Sequence, residues 1–246
     1  FYLDSTPTHS YMKYLYKYPQ AAYPYDDLVA TNGQRGKHEP EYELLDTGVF
    51  DGSRYFDVFV EYAKAAPEDL LVRISVANRG PEAAPLHVLP TLWFRNTWSQ
   101  KSGGSKPELK ALQGVGHPVV HAHHTDPLFQ ESLSDYYLHV DAEVPLLFTG
   151  NESNHARLFG SQNASPYVKD AFHNYLIQGD AAAVNPARSG TKVASHHAIN
   201  VPAGATKVLR LRLTTAAPAK SKEAFADFDE VFAQRLAEAD AFYAAL

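Results

Sequence analysis

Hydrophobic and polar positions alternate most cleanly over residues 70–98. Leu71, Arg73, Ser75 and Ala77 fall on one face of an extended chain and Leu70, Val72, Ile74 and Val76 on the other, a period of two that predicts a half-buried antiparallel strand over 70–77. Asn78-Arg79-Gly80-Pro81 follows; Asn and Gly tolerate positive φ and Pro fixes φ, so the chain is expected to reverse. Residues 86–94 are the expected return strand, with Trp93 in its core pattern, and they deliver Arg95, Asn96 and Trp98 to the end of the sheet. Segments 43–50 and 55–63 read as a hairpin about Asp51-Gly52. Segments 134–140 and 144–149 also read as strands, with Pro145 marking an edge or a strand start. A last pair, 191–200 and 207–215, flanks Val201-Pro202-Ala203-Gly204; Leu209, Leu211 and Leu213 form its core face, opposite Val208, Arg210 and Arg212.

Elsewhere the period changes. Phe225, Phe228, Phe232, Leu236, Ala239 and Tyr243 recur at three or four, which predicts an amphipathic helix over 221–246, broken near Asp227. Tyr11, Tyr14, Leu15 and Tyr18 share that spacing and predict one or two helical turns within 8–18, stopped by Pro19. Residues 1–4 read as the end of a strand. Segments 21–27, 31–40, 100–111 and 150–179 are loops by composition. The fold class is therefore mainly β, a large antiparallel two-sheet sandwich with a C-terminal helical segment.

Composition narrows the function classes. At 246 residues the chain suffices for one large β domain. A net charge of −6 with no basic run longer than two argues against a nucleic-acid partner. No apolar stretch approaches the roughly 18 residues of a spanning helix, so no membrane partner is expected, and no signal-peptide pattern is found; a cytoplasmic location is the expectation. The chain opens FYLDSTP, without Met and within a strand pattern, and so reads as cut from a longer sequence. Cysteine is absent, which excludes disulfides and thiolate metal sites.

The candidate chemistry is of two kinds. Tyrosine, at 15 residues the commonest aromatic, joins a ring to a hydroxyl, as sugar-contacting surfaces require. Tyr23, Tyr25, Arg95, Asn96 and Trp98 are the candidate substrate-binding residues, on a carbohydrate partner. Asn151, Glu152, Asn154, Lys169 and Asp170 read first as self-satisfying loop scaffold, with ligand contact as the alternative. His117, His121, His123 and His124 crowd one segment, and His121 and His123 share a strand face. Zinc or copper, with His117 as third ligand, is the minority reading there; the expectation is no metal and no cofactor. Gly103-Gly104 lacks the Gly-Lys-Ser/Thr order of a P-loop.

The segments YLDSTPTHSYMKYLYKYPQAAYPYDDLV (2–29), EYELLDTGVFD (41–51), NRGPEAAPLHVLPTLWFRNTW (78–98), NESNHARLFG (151–160), SPYVKDAFHNY (165–175) and FDEVFAQRLAEADAFY (228–243) resemble the N-terminal part of bacterial glycoside hydrolase family 63 and mannosylglycerate hydrolase-like glucosidases. The resemblance implies a large antiparallel β-sandwich over 1–216. Residues 217–246 would then be a helical linker to an (α/α)6 barrel missing from this chain, which in that family carries the two catalytic carboxylates of an inverting α-glycosidase. The sandwich would close one side of the barrel's pocket. Past Trp98 the chain departs from the family, reading Ser99-Gln100-Lys101-Ser102-Gly103 where a second tryptophan and a glycine are expected. No catalytic residue is carried over. The expected function is therefore an accessory domain shaping a sugar pocket and inactive alone. The alternatives are a free-standing hydrolase or metal-dependent enzyme using the histidines, and a module that self-associates through exposed sheet edges.

Overall fold

The computed structural model describes residues 1–100, 105–113, 115–124, 135–218 and 221–245. Gly103-Gly104, Thr125, Ser134 and Lys220, on which parts of the sequence reading fell, lie outside them. The strands are β1 (Tyr2–Ser5), β2 (Tyr11–Pro19), β3 (Tyr55–Ala66), β4 (Asp69–Asn78), β5 (Ala84–Val88), β6 (Thr91–Trp93), β7 (Glu108–Ala111), β8 (Val119–His123), β9 (Tyr136–Val140), β10 (Leu146–Thr149), β11 (Ser189–Gly190), β12 (Lys192–Ser195), β13 (His197–Val201) and β14 (Thr206–Thr214). The helices are α1 (Tyr25–Gln34), α2 (His155–Phe159), α3 (Ala171–Ile177), α4 (Ser221–Ala224) and α5 (Phe228–Ala244). The fold is mainly β, as expected. A nine-stranded antiparallel sheet runs in the order β1-β2-β3-β4-β14-β9-β8-β7-β11, beside a three-stranded sheet β10-β12-β6 and a two-stranded pair β13-β5. No helix among the described residues is long and apolar enough to cross a membrane.

The chain divides into two compact units. The first comprises Phe1–Tyr62, Val72–Leu86 and Ile199–Leu209, with Tyr11, Phe56, Val76 and Val201 among its most buried side chains. Two buried carboxylates are paired within it. Glu61 accepts from the Tyr11 hydroxyl at 2.7 Å and from Arg73 Nε and Nη2, each at 2.9 Å. Asp57 takes Lys17 Nζ at 2.7 Å and Arg79 Nε at 2.6 Å. Burial pushes both carboxyls up, but these bonds outweigh it and leave both below the usual carboxylate range.

The second unit comprises Ala63–Leu71, His87–Ala198 and Arg210–Leu246. Its core gathers Leu109, Val119, Val120, Val140, Phe148 and Leu211. The C-terminal helix forms where expected, with its break just before Phe228, and it buries Phe228, Phe232 and Ala239. Arg212 ties it down, reaching Asp69 at 2.5 Å and Asp227 at 2.6 Å while donating to the Ala224 carbonyl at 2.9 Å.

Several expectations are corrected. Residues 11–19 are strand, not helix: the tyrosines at three-four spacing are also good strand formers, and pairing with β1 fixes the extended state. Residues 25–34 are helical rather than loop, with Asp26 and Asp27 in the first turn, where carboxylates favour a helix N-terminus. No strand spans 43–50; short 3₁₀ turns at Leu44–Thr47 and Asp51–Ser53 replace it, and β3 turns instead into β4 across Pro67-Glu68. β4 is buried on both faces, with Leu71 and Ala77 on one and Ile74 and Val76 on the other. The reversal after it needs no positive φ at Asn78 or Gly80. The Asn78 amide makes the turn, accepting from Gly80 N–H at 2.8 Å and donating to the Glu82 and Val201 carbonyls at 2.7 and 2.9 Å.

The return strand is split. Pro90, which has no N–H to give a ladder, separates β5 from β6, and the two serve different sheets. His196, whose N–H donates to the Pro145 carbonyl at 2.9 Å, divides β12 from β13, so 191–200 and 207–215 are not one hairpin: β13 pairs with β5 while β14 lies in the nine-stranded sheet. Trp93, expected in the core, is 56% exposed. It borders an apolar hollow of about 230 Å³ with Phe94, Tyr136 and Leu213.

Candidate functional site

The loop after β10 builds a polar concavity in the second unit. Gly150 N–H donates to the Tyr167 carbonyl at 2.8 Å, and Lys169 N–H to the Glu152 carbonyl at 3.1 Å. The returning segment is thereby fixed beside 150–152. Asn151 locks the other flank, its backbone N–H donating to Thr191 Oγ1 at 2.8 Å and its amide to the Phe94 carbonyl at 2.8 Å. Asn154 caps α2, accepting from Arg157 N–H at 3.1 Å and from the Asn163 amide at 3.0 Å. Asp170 takes Arg157 at 2.9 Å. These residues are scaffold, as the composition of the loop suggests.

Glu152 is different. Its Oε1 accepts from the Trp98 indole N–H at 2.9 Å and from Lys106 Nζ at 2.7 Å, and the Lys106 ammonium lies 6.0 Å from the Trp98 ring centre. Partial burial pushes the Glu152 carboxyl up, but the bonds from Lys106 and Trp98 prevail and hold it below the ordinary range. A Cβ on Gly150 would collide with Glu152 Oε2, so glycine is what lets the carboxylate lie against the backbone. The carboxylate forms part of the wall of a cleft of about 440 Å³ whose lining includes Asn96, Lys106, Ser153, Asn163 and Tyr167. The arrangement offers one fixed anion, one ammonium and several amides and hydroxyls. That set can orient a hydroxyl-rich ligand.

Of the sequence candidates, Asn96 lines this cleft and accepts from Ser99 N–H at 3.2 Å, while Trp98 positions its carboxylate. Arg95 is exposed. Tyr23 and Tyr25 belong to the first unit; their ring centres lie 4.4 Å apart at the start of α1, and Tyr25 is 68% exposed. Lys106 was missed by sequence reasoning, because no local pattern distinguishes a lysine that meets a carboxylate 46 positions away.

The histidines sort otherwise than expected. His117 is not the partner of His121 and His123; its Nε2 lies 2.9 Å from Nδ1 of His139, with the rings stacked. Asp135 takes that place, its Oδ1 lying 2.5 Å from His123 Nδ1 and 3.1 Å from His121 Nε2. Burial, with His117 and Arg212 nearby, pushes His139 down to about 4. A second histidine pair joins His87 Nδ1 to His196 Nε2 at 2.8 Å.

No family model matches the chain. An uncharacterized protein of Saccharomyces cerevisiae, YMR196W, is 39% identical over 279 residues, a match that takes in 99% of this chain and 26% of that protein. The chain thus spans about a quarter of the length of this curated relative. Among solved structures, a polysaccharide lyase superposes over 87% of this chain and 22% of its own, with a TM-score of 0.41 and 10% identity.

Proposed function

We propose that this chain is the N-terminal, non-catalytic β-domain of a glycoside hydrolase family 63-like α-glycosidase, and that its cleft holds part of a sugar ligand. The observation that carries this reading is the Glu152 carboxylate, clamped by Trp98 and Lys106 in a wall of amides and hydroxyls. Such a carboxylate accepts from sugar hydroxyls, while Lys106 and the Asn96 amide donate to them. The cleft volume of about 440 Å³ lies in the usual range for small-ligand sites, about 300–1,000 Å³. Inverting hydrolysis needs two carboxyl groups about 6.5–9.5 Å apart. Glu152 is the one carboxylate among the described residues lining the cleft, which supports binding rather than bond cleavage.

In this reading residues 1–216 form the sandwich, and 217–246 lead toward an (α/α)6 catalytic domain. The greater length of the yeast relative is in keeping with that. The exposed Tyr23–Tyr25 pair supplies a separate stacking surface for sugar C–H faces, and Arg95 a rim donor. The test is a titration of this chain with α-glucosides and α-mannosides followed by NMR, beside hydrolysis assays of the chain and of the full yeast relative. Binding by the chain, weakened tenfold or more in Glu152→Gln and Asn96→Ala, with turnover confined to the longer protein, is the expected result. Turnover by this chain unaided, or binding indifferent to both substitutions, overturns the reading.

A further inference from the structure

We propose that His121, His123 and Asp135 form a binding site for a divalent transition metal, Zn²⁺ in the first instance, that clasps β8 to the start of β9. Strand pairing sets the frame. β8 pairs with β9 in a register that sets His121 opposite Tyr137 and Ala122 opposite Tyr136. The positions 121, 123, 135 and 137 therefore share one face of the ribbon. On the other face Val120 and Ala122 are buried, which fixes the strand beneath. The ring of His121 stacks on Tyr137 with centres 5.1 Å apart and planes at 17°.

The donor atoms converge. One ligand atom from each of His121, His123 and Asp135 lies within 4.8 Å of the others. Four donors about a zinc ion at bond lengths of about 2.0–2.1 Å stand about 3.3 Å from one another. The separations of Asp135 Oδ1 from the two histidines, 3.1 and 2.5 Å, reach that spacing by shifts of under about 1 Å. Nε2 of His121 is buried, lies 3.1 Å from Asp135 Oδ1 and makes no hydrogen bond among the described residues. A buried imidazole nitrogen without a hydrogen bond is costly, and a metal ion would satisfy it. His123 and Asp135 are exposed, so the site is open to solvent and keeps positions for water.

Two imidazoles and one carboxylate select among metals. An N₂O set suits Zn²⁺, Cu²⁺, Ni²⁺ and Co²⁺, whereas Ca²⁺ and Mg²⁺ favour all-oxygen shells. On the next strand Glu108 stands opposite His123, and Lys110 opposite His121. Glu108 supplies a further carboxylate in register with the site.

The experiment is calorimetric titration of the intact chain with Zn²⁺, repeated with Co²⁺ and read by its visible absorption. One saturable site is expected, weakened tenfold or more by His121→Ala, His123→Ala or Asp135→Asn, since loss of even an outer-shell partner of a metal ligand typically costs about 10–100-fold. His117→Ala, altering the neighbouring histidine pair, leaves the affinity unchanged. Should His121→Ala fail to fold, the exposed His123 and Asp135 variants carry the test. No saturation below about 1 mM, or equal effects of the His117 and His123 substitutions, overturns the site.

Discussion

Replacing Arg212 with methionine keeps most of the side chain's length and removes its charge. Arg212 is 13% exposed in its side chain and makes a two-pronged contact with Asp69, which is 18% exposed, and a second contact with Asp227, which is 44% exposed. The substitution strands Asp69 with neither of the two Arg212 bonds that now meet it. Breaking one side of a buried ion pair costs about 3–5 kcal/mol. The Asp227 arm, being half in water, adds little, as exposed pairs contribute about 0–1 kcal/mol. The expected loss is therefore about 3 kcal/mol, which at a urea m-value of about 3 kcal/mol/M lowers the midpoint by about 1 M. The Ala224 carbonyl in α4 and Asp227 at the start of α5 also lose their donor, so amide exchange in α4 and the first turn of α5 should accelerate more than in β8 or β9. In the double variant Arg212→Met, Asp69→Asn the stranded charge is gone and part of the stability returns, a non-additivity of about 1–2 kcal/mol. A midpoint within 0.3 M of wild type, about 1 kcal/mol by the same slope, together with unchanged exchange in α5, would refute the argument that this guanidinium pins the helix.

Three further outcomes are expected. Burial pushes His139 and His197 down to about 4, against 6.5 when unfolded. The unfolded chain therefore binds more protons between those values, and stability falls as pH drops from 7 to 5 by about 2–4 kcal/mol for the two together; urea midpoints at the two pH values check this, and a flat profile refutes it. The buried carboxylates Asp57 and Glu61, held low, lose their contribution only at more acid pH, so the two windows are separable. Tyr11→Phe removes one bond to Glu61 and leaves the Arg73 contact, at a cost of about 1–2 kcal/mol by chemical denaturation. Gly150→Ala pushes Glu152 off Trp98, so Trp98 fluorescence should shift while overall stability falls by about 1–3 kcal/mol.

What the sequence disclosed follows from the length of each periodic run. β14, with Leu209 and Leu211 buried and Val208 exposed, and α5, with Phe228 and Phe232 inward, each repeat one period long enough to identify the element. β2 misled because its tyrosines satisfy either period, and the choice was made by the hydrogen bonds of β1. Trp93 misleads because the run 86–94 reads as a single strand. Pro90 breaks it, and the piece that follows leaves a tryptophan on the surface. Near the cleft, Asn96 and Trp98 stand out in the sequence by residue type alone. The pairing of Trp98 and Lys106 with Glu152, and of Asp135 with the histidines, depends on contacts across 12 to 54 positions, which one-dimensional patterning does not encode.

The interruptions at Pro90 and His196 lie side by side, since Ser195 N–H donates to the Pro90 carbonyl at 3.1 Å, and β6 meets β12 in register from Thr91–Ala194 to Trp93–Lys192. Two stretches roughly 100 residues apart in the chain are thus stitched into one seam, and everything between them, the cleft included, is a closed loop. Contacts of such separation slow folding, because the entropy of closure is spent before any pairing rewards it. Pulse-labelled exchange should therefore find the β12 and β13 amides protected after those of the local β3–β4 hairpin, with the binding cleft among the last parts of the molecule to acquire its shape.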